Sequence, residues 1–425
     1  MNTRSKIKRA FWLTFVLVLA VFLLGAGSLS FGDLDDQVRT FTRGKEFNYI
    51  RWTVQALGLK VGQMALSSEN YLSAAERHQV VLDYLELVRQ IQIAEAQLND
   101  IYSDPNISDP QAASLELRKE LENQRKRREQ IAPVGEAILQ AQVGDIASDL
   151  ELTLIGQPLP PVLYHATTLP WALIVSPRDA IRQEANISLI PDLSVDEHAA
   201  LEEQVDRSLD ISSLVVGIGG VGVYPTMVDE TSNLNWLSEV VAHEWVHNFL
   251  TLRPLGASYL QSPELRTMNE TAASIAGKEI GQAVIAKYYP ELLPPDVEQP
   301  AAQEYPAPQE PSNEPPPFDF YDQMRITRLE VDRLLAEGKI EQAEQYMEAR
   351  RQVFWENGYH IRKLNQAWFA FHGAYADVPG GGAAGKDPVG EAVRALRAQS
   401  DSLAGFLNRI SWMTSFEQLE RAVQK

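Results

Sequence analysis

Apolar residues recur with a helical period along the first third of the chain. Between residues 71 and 99 they are separated by Glu, Gln and Arg in a pattern that predicts one long helix. A second helix is predicted for residues 113–130, ending near Pro133, and turn-forming residues at 103–110 separate the two. We therefore expect a helical hairpin inside a mainly helical region that covers residues 33–160.

From residue 161 the pattern changes to alternating β-rich and helical segments. Residues 171–176 and 186–190 are rich in β-branched and apolar side chains, which predicts two strands. Ser194 and Glu197 have the spacing of a capping box and predict the start of a helix. Residues 161–289 are therefore expected to form a separate core, with a small antiparallel or mixed sheet packed on helices.

Two further β-rich runs lie within residues 213–228, on either side of Gly219 and Gly220, and predict a β-hairpin. Glycines also stand at positions 217 and 222. They either let a substrate backbone approach closely or mark ordinary bulges in a buried hairpin, and the sequence leaves both interpretations open.

The next periodic segment carries two histidines on its apolar face. Trp236, Val240, His243, His247 and Leu250 follow the i, i+4, i+7, i+11, i+14 rhythm of one helix face, so both imidazoles are predicted to point inward. Serine and asparagine side chains just before this segment can cap the helix, and a proline follows it.

This predicted helix contains the pattern His-Glu-x-x-His, formed by His243, Glu244 and His247. Residues four apart share a helix face, so both imidazoles can reach one metal ion. Glu244 would then act as the general base on a metal-bound water. Only seven histidines occur in 425 residues, so a chance match is rare. The alternative is a pair of core histidines that are hydrogen-bonded to the backbone.

A catalytic zinc ion usually has three protein ligands, so a third ligand is required elsewhere. Leu250 and Arg253 exclude the class of zinc enzymes that continues the motif with a glycine and a third histidine. The other class uses a glutamate from a later helix. Glu270 fits this requirement, and Glu264 and Glu279 are its rivals.

At these residues the chain resembles the gluzincin metallopeptidases. The histidine helix is the specific part. Residues 268–277, an Asn-Glu pair followed by small side chains, are similar to the third-ligand helix of bacterial membrane-associated aminopeptidases. The likeness covers residues 214–277. It implies a zincin-like domain in which an antiparallel edge strand holds extended substrate above a Zn²⁺ ion, whose ligands are His243, His247 and Glu270.

The C-terminal part begins with a proline-rich stretch. Ten of the 28 residues at 290–317 are proline, a composition that predicts a linker or surface loop. Residues 318–425 again have a helical pattern, interrupted by a glycine-rich stretch at 379–385. We expect these helices to complete the catalytic domain on the other side of its cleft.

An aromatic stretch at 359–375 contains polar residues on an otherwise apolar helix face. Asn365 and His372 are seven positions apart and share that face, so they either line the cleft or are satisfied core groups. Amide hydrolysis also requires a donor, besides the metal, that stabilises the oxyanion. The candidates for this donor are Tyr375 and His372, with His360 and Tyr224 in addition.

The pattern of charged and apolar residues at 1–32 predicts a membrane segment at the N-terminus. Basic residues precede an uncharged, largely apolar run at 10–31. As a helix this run would extend about 33 Å, enough to span a bilayer. The charges on its two sides predict a single-pass protein with a cytoplasmic N-terminus and an extracytoplasmic catalytic domain, whose acidic surface should not lie flat on anionic lipid. The competing interpretation is a signal peptide cleaved near residues 26–28, which would give a secreted protein.

The amino-acid composition excludes several kinds of chemistry and argues against one class of partner. The chain has no cysteine, which excludes disulfides, thiolate catalysis and a lipoprotein attachment site. Its formal net charge of −19 argues against nucleic acid as a partner. A hydrophobic content of 45% is sufficient for a packed core. The oligomeric state stays open.

Together these features predict an α+β, mainly α, protein that acts as a membrane-tethered zinc peptidase on peptides or proteins outside the cytoplasm. One alternative is a zinc amide hydrolase that acts on cell-wall or small-molecule amides, because the same chemistry serves any amide. The other is a non-catalytic envelope scaffold that retains a vestigial zinc site.

Overall fold

The computed structural model describes residues 33–66, 68–103, 109–153, 156–293, 318–372 and 388–424. The helices are α1 Asp33–Thr42, α2 Tyr49–Leu66, α3 Ala74–Ser103, α4 Pro110–Ala113, α5 Leu115–Asp149, α6 Val195–Leu209, α7 Leu234–Thr251, α8 Pro254–Ala257, α9 Pro263–Tyr288, α10 Phe320–Ala336, α11 Ile340–Glu356, α12 Gln366–His372, α13 Pro388–Ala398, α14 Leu403–Ile410 and α15 Phe416–Val423. The strands are β1 Tyr164–Ala166, β2 Trp171–Pro177, β3 Ala185–Leu189, β4 Ile211–Val216, β5 Gly220–Val221 and β6 Thr226–Val228. The predicted α+β class with mainly helical content is confirmed.

The predicted helical hairpin is formed by α3 and α5, but the predicted end of its second helix is wrong. Pro133 lies inside α5, which continues to residue 149. Proline within a helix removes one hydrogen bond and costs roughly 3 kcal/mol. The segment beyond it buries Ile138, Leu139 and Val143 in the main core, and this packing offsets the local cost.

The larger sheet is antiparallel, with the strand order β3-β2-β4. Its two outer strands both pair with β2. Ile174 of β2 marks the register, since it lies opposite Asn186 of β3 on one side and Leu214 of β4 on the other. The two strands predicted at 171–176 and 186–190 form within one residue of their predicted limits. The capping box that precedes α6 is also present, since the Ser194 and Glu197 side chains each bond the other's backbone.

The hairpin predicted around Gly219 and Gly220 is wrong. The first β-rich run forms β4, which pairs with β2 in the larger sheet. The second run contains β5 and β6, which pair with each other in a small mixed sheet of order β1-β6-β5. The residues of β4 are almost entirely buried, and all six pair with β2, which a two-residue strand such as β5 could not match.

Helices α7 and α9 pack closely because α9 presents small residues to α7. A Cβ atom added at Gly277 would lie 2.9 Å from the His243 Cβ, and one added at Gly281 would lie 2.9 Å from the backbone nitrogen of Glu239. Neither position has room for a side chain. This close approach brings the N-terminal half of α9 beside the histidines of α7. On the other side of α9, Glu279 pairs with Arg397 of α13 at 2.7 Å.

Several predictions fall outside the described residues. They concern the apolar run at 10–31, most of the proline-rich stretch, the glycine-rich stretch at 379–385, and Tyr375. Among the helices of the described ranges, none combines the length and the apolar character needed to cross a bilayer.

Candidate metal centre

The histidine helix forms where the sequence predicts it. The Asn233 side chain caps α7 by accepting a hydrogen bond from the Trp236 backbone nitrogen at 3.2 Å. One turn separates His243 from His247, so their rings lie side by side and their Nε2 atoms are 3.1 Å apart. The prediction that both imidazoles share one helix face is confirmed.

Glu270 completes the group from α9. Its carboxylate Oε2 lies 3.6 Å from Nε2 of His243 and 3.4 Å from Nε2 of His247. The residue is 4% exposed, and this oxygen has no hydrogen-bond partner. A buried carboxylate oxygen without a donor is costly, and a cation between the three atoms would satisfy it. His243, His247 and Glu270 therefore form a group that could bind a metal ion.

The two rival glutamates do not join this group. Glu279 is engaged by Arg397, and Glu264 is exposed in the first turn of α9. Within the described ranges, Glu270 is the only carboxylate that meets both histidines in a metal-binding arrangement.

Surrounding side chains hold the three ligands in place. Nδ1 of His247 donates to Oδ1 of Asn269 at 2.8 Å, so that Nε2 is turned toward Glu270. Nδ1 of His243 lies 3.4 Å from the Ser274 hydroxyl. The Tyr259 hydroxyl donates to Oε1 of Glu270 and leaves Oε2 to face the histidines. Such outer partners fix ligand orientation in metal sites.

The pKa values of His247 and Glu270 also indicate that this site favours a positive charge. Burial alone would lower the pKa of His247, but the Glu270 carboxylate and its neighbours outweigh burial and raise this pKa to about 9. Burial alone would raise the pKa of Glu270, but the two histidines hold it well below its usual range. Without a metal the site therefore attracts a proton, and a bound metal ion would take the place of that positive charge.

Glu244 lies beside the ligands and faces a glycine-rich backbone. A Cβ atom added at Gly220 would lie 2.5 Å from Oε1 of Glu244, and one added at Gly222 would lie 3.1 Å from the His247 Cβ. A Cβ atom added at Gly219 would lie 3.1 Å from the Trp236 ring, whereas one added at Gly217 would make an ordinary 3.4 Å contact with the Trp171 ring. The space beside Gly220 is thus occupied by the Glu244 carboxylate.

The three ligands and Glu244 line a cavity of about 330 Å³. Several polar residues of the cavity were not predicted, because they belong to no motif. Arg39 of α1 is paired with Asp35, and Tyr49 of α2 shares a 2.7 Å hydrogen bond with the Ser188 hydroxyl. Two others are Tyr259 and the buried Arg266, whose Nε lies 3.3 Å from the Tyr259 hydroxyl.

The predicted oxyanion donors do not line this cavity within the described residues. The ring of His372 packs on Trp368 with a centroid separation of 4.3 Å, and burial lowers its pKa to about 4. The Tyr224 hydroxyl donates to the Pro161 carbonyl at 2.9 Å. The remaining candidates are placed elsewhere: His360 packs on Trp355, and Tyr375 lies outside the described residues.

Asn365 is a satisfied core group. It donates to the Ser213 carbonyl at 2.9 Å, and its side-chain oxygen accepts from the Trp368 backbone nitrogen at 2.9 Å. Of the two interpretations of this residue, the structure favours the structural one, because both ends of its amide have partners that anchor α12 to β4.

Replacement of Asn269 by alanine should weaken Zn²⁺ binding about 10–100-fold, the usual effect of losing an outer hydrogen-bond partner of a metal ligand. Without the Asn269 oxygen, Nδ1 of His247 loses its acceptor and the ring loses its fixed orientation. Competition titration against a zinc indicator measures the change. Asn357→Ala, which removes an exposed asparagine at the end of α11, is the matched control. Equal affinities in the two variants would show that Asn269 does not support the site.

Comparison of this chain with protein-family models, with curated proteins and with solved structures found no match. The likeness to gluzincin metallopeptidases therefore rests on the residues of the motif, and the functional argument rests on the geometry of the site.

Proposed function

We propose that this chain is a membrane-tethered, zinc-dependent peptidase. The observation that carries the proposal is the buried Oε2 atom of Glu270, which has no hydrogen-bond partner and faces Nε2 of both His243 and His247. Two imidazoles and one carboxylate are a known ligand set of catalytic zinc sites, which keep a further position open. The neighbouring Glu244 supplies the base that this chemistry requires.

Zn²⁺ bound by these three residues would supply a Lewis acid for the scissile carbonyl and would lower the pKa of a water molecule. Glu244 would accept a proton from the water that attacks the carbonyl carbon, and would pass it to the amine that leaves when the C–N bond breaks. Burial raises the pKa of Glu244, although the two histidines oppose this effect. A raised pKa suits a carboxylate that must accept a proton and release it again.

The surroundings of the site support a peptide as the substrate. Strand β5 lies at the edge of its sheet and in the wall of the cavity. Unpaired backbone groups at a sheet edge can bind an extended peptide as an additional strand. A small-molecule amide would have no use for this edge, so we favour peptide hydrolysis over the general amide hydrolase.

The tether is proposed from the apolar run at 10–31, with the N-terminus in the cytoplasm and the catalytic domain outside. Peptides and proteins outside the cytoplasm would then be the substrates. Membrane fractionation followed by N-terminal sequencing tests this placement. An intact N-terminus in the membrane fraction supports the tether, whereas a soluble exported chain that begins near residue 29 would identify a signal peptide.

A fluorogenic peptide library tests the reaction itself. The full chain should cleave a subset of the peptides, lose this activity with a zinc chelator and regain it when Zn²⁺ is added back. A parallel panel of non-peptide amides tests the alternative hydrolase. Cleavage of these amides alone, or of no compound in either panel, would contradict the proposed peptidase.

Gly220→Ala should lower kcat about 100-fold while zinc content stays unchanged. The added methyl group would overlap the Glu244 carboxylate and its Cγ atom, and a displacement of about 1 Å at a catalytic group has an effect of this size. Gly144→Ala in α5 is the control, since its Cβ would make an ordinary 3.8 Å contact with Val162. Full activity of Gly220→Ala would mean that the position of Glu244 does not matter for turnover.

A further inference from the structure

One helix carries an unusual amount of exposed apolar surface. Ile50, Val54 and Val61 of α2 are 69%, 65% and 41% exposed. They are spaced i, i+4 and i+11, so they lie on one face of the helix. The adjacent face is packed, with Thr53 and Lys60 fully buried. The apolar face of α2, defined by these three residues, therefore points away from the body of the protein.

The predicted membrane segment precedes this face closely in the sequence. The predicted membrane segment at 10–31 is followed directly by α1, which begins at residue 33. Helix α1 has 10 residues, about 15 Å in length, and six residues then lead to α2. Helix α1 is itself fixed to the catalytic core, since Val38 is buried among β2, β3 and α6 residues. A bilayer that holds residues 10–31 therefore lies within reach of the apolar face of α2.

Basic residues lie close in sequence to the N-terminal end of this face, in a stretch that also contains Asp33, Asp35, Asp36 and Glu46. Arg43, Lys45 and Arg51 lie in or beside the connection to α2, and Arg43 and Arg51 are exposed. The complete chain has a net charge of −19. Basic residues that flank an exposed apolar face are typical of helices that lie in the headgroup region of a membrane with anionic lipid.

We propose that the apolar face of α2 lies in the lipid headgroup region and orients the cleft toward the membrane surface. Arg39 of α1 and Tyr49, the first residue of α2, both line the cavity of the metal site. Contact of α2 with lipid would thus place that wall of the cavity next to the bilayer. The substrates selected by this geometry are membrane-proximal segments of other membrane proteins. The inference rests on the proposed tether. The rest of the acidic surface would still be repelled by anionic lipid.

Site-directed spin labelling tests the contact, because the chain has no cysteine to interfere. Single cysteines at Val54 and Val61 are introduced into the full chain, labelled, and reconstituted in nanodiscs of phosphatidylethanolamine with a minority of phosphatidylglycerol. Val195→Cys on α6 is the matched control, since Val195 is 64% exposed and Val54 is 65% exposed. Oxygen reports exposure to lipid, and a water-soluble nickel chelate reports exposure to water.

The expected result is high oxygen and low nickel accessibility at positions 54 and 61, with the reverse at position 195. High nickel accessibility at 54 and 61 would overturn the proposal. Low accessibility to both reagents would also overturn it, because protein, for example residues 10–31, would then cover the face. Carbonate extraction and peptide hydrolysis on the same samples report the tether and the activity separately, so failure of the α2 contact is distinguishable from failure of the proposed function.

Discussion

Replacement of Glu244 by glutamine should reduce turnover by about 10²–10⁴-fold, the usual contribution of a general base. Glutamine keeps the size of the side chain, so it should still fit against Gly220 and Gly222. It cannot accept the proton that the reaction requires. The zinc content and the thermal unfolding of the variant should match those of the wild-type chain, and steady-state kinetics on one cleaved peptide measures the loss.

The zinc content distinguishes a role of Glu244 in catalysis from a role in metal binding. A variant that loses both zinc and activity would assign Glu244 a role in metal binding. A variant that keeps zinc and hydrolyses peptides at the parental rate would contradict the mechanism. Asp229→Asn is a suitable control, because Asp229 is an exposed carboxylate that does not line the cavity.

Replacement of Glu270 by alanine should abolish stoichiometric zinc binding. The two imidazoles would remain, but two neutral ligands without the carboxylate lack both the third ligand and the negative charge. At a free zinc concentration about 1,000 times the wild-type Kd, bound metal stabilises the native state by about 4 kcal/mol. Zinc should therefore raise the unfolding temperature of the wild-type chain but leave that of the variant unchanged.

Glu264→Ala is the matched control for Glu270→Ala. Both positions lie on α9, and Glu264 is exposed outside the cavity. The control should bind zinc and respond to it like the wild-type chain. Stoichiometric zinc that survives in Glu270→Ala would remove Glu270 as a ligand and would require a different third group.

The metal group could be predicted because most of its information is local. The spacing of His243 and His247 fixes their relation within one helix, and small residues after Glu270 allow α9 to approach α7. The same holds for the helix after Ser194, whose capping box involves neighbours in the sequence. Where geometry depends on a few consecutive residues, the sequence is sufficient.

Predictions that depend on distant partners were weaker. The strand pairing predicted for residues 213–228 was wrong, because the sequence pattern does not specify which strand pairs with β4. The helix break at Pro133 was wrong, because burial of the following residues decides the outcome. Tyr49 and Tyr259 were missed for the same reason: only the tertiary fold brings their hydroxyl groups into the cavity.

The central claim is that His243, His247 and Glu270 bind one zinc ion that keeps an open position beside Glu244. Diffraction at the zinc absorption edge from crystals of the zinc-loaded protein tests it most directly. We predict a single anomalous peak bounded by the two Nε2 atoms and Oε2 of Glu270, with a non-protein ligand on the side of Glu244. The absence of a peak among these atoms, or a fourth protein ligand that closes the site, would contradict the account.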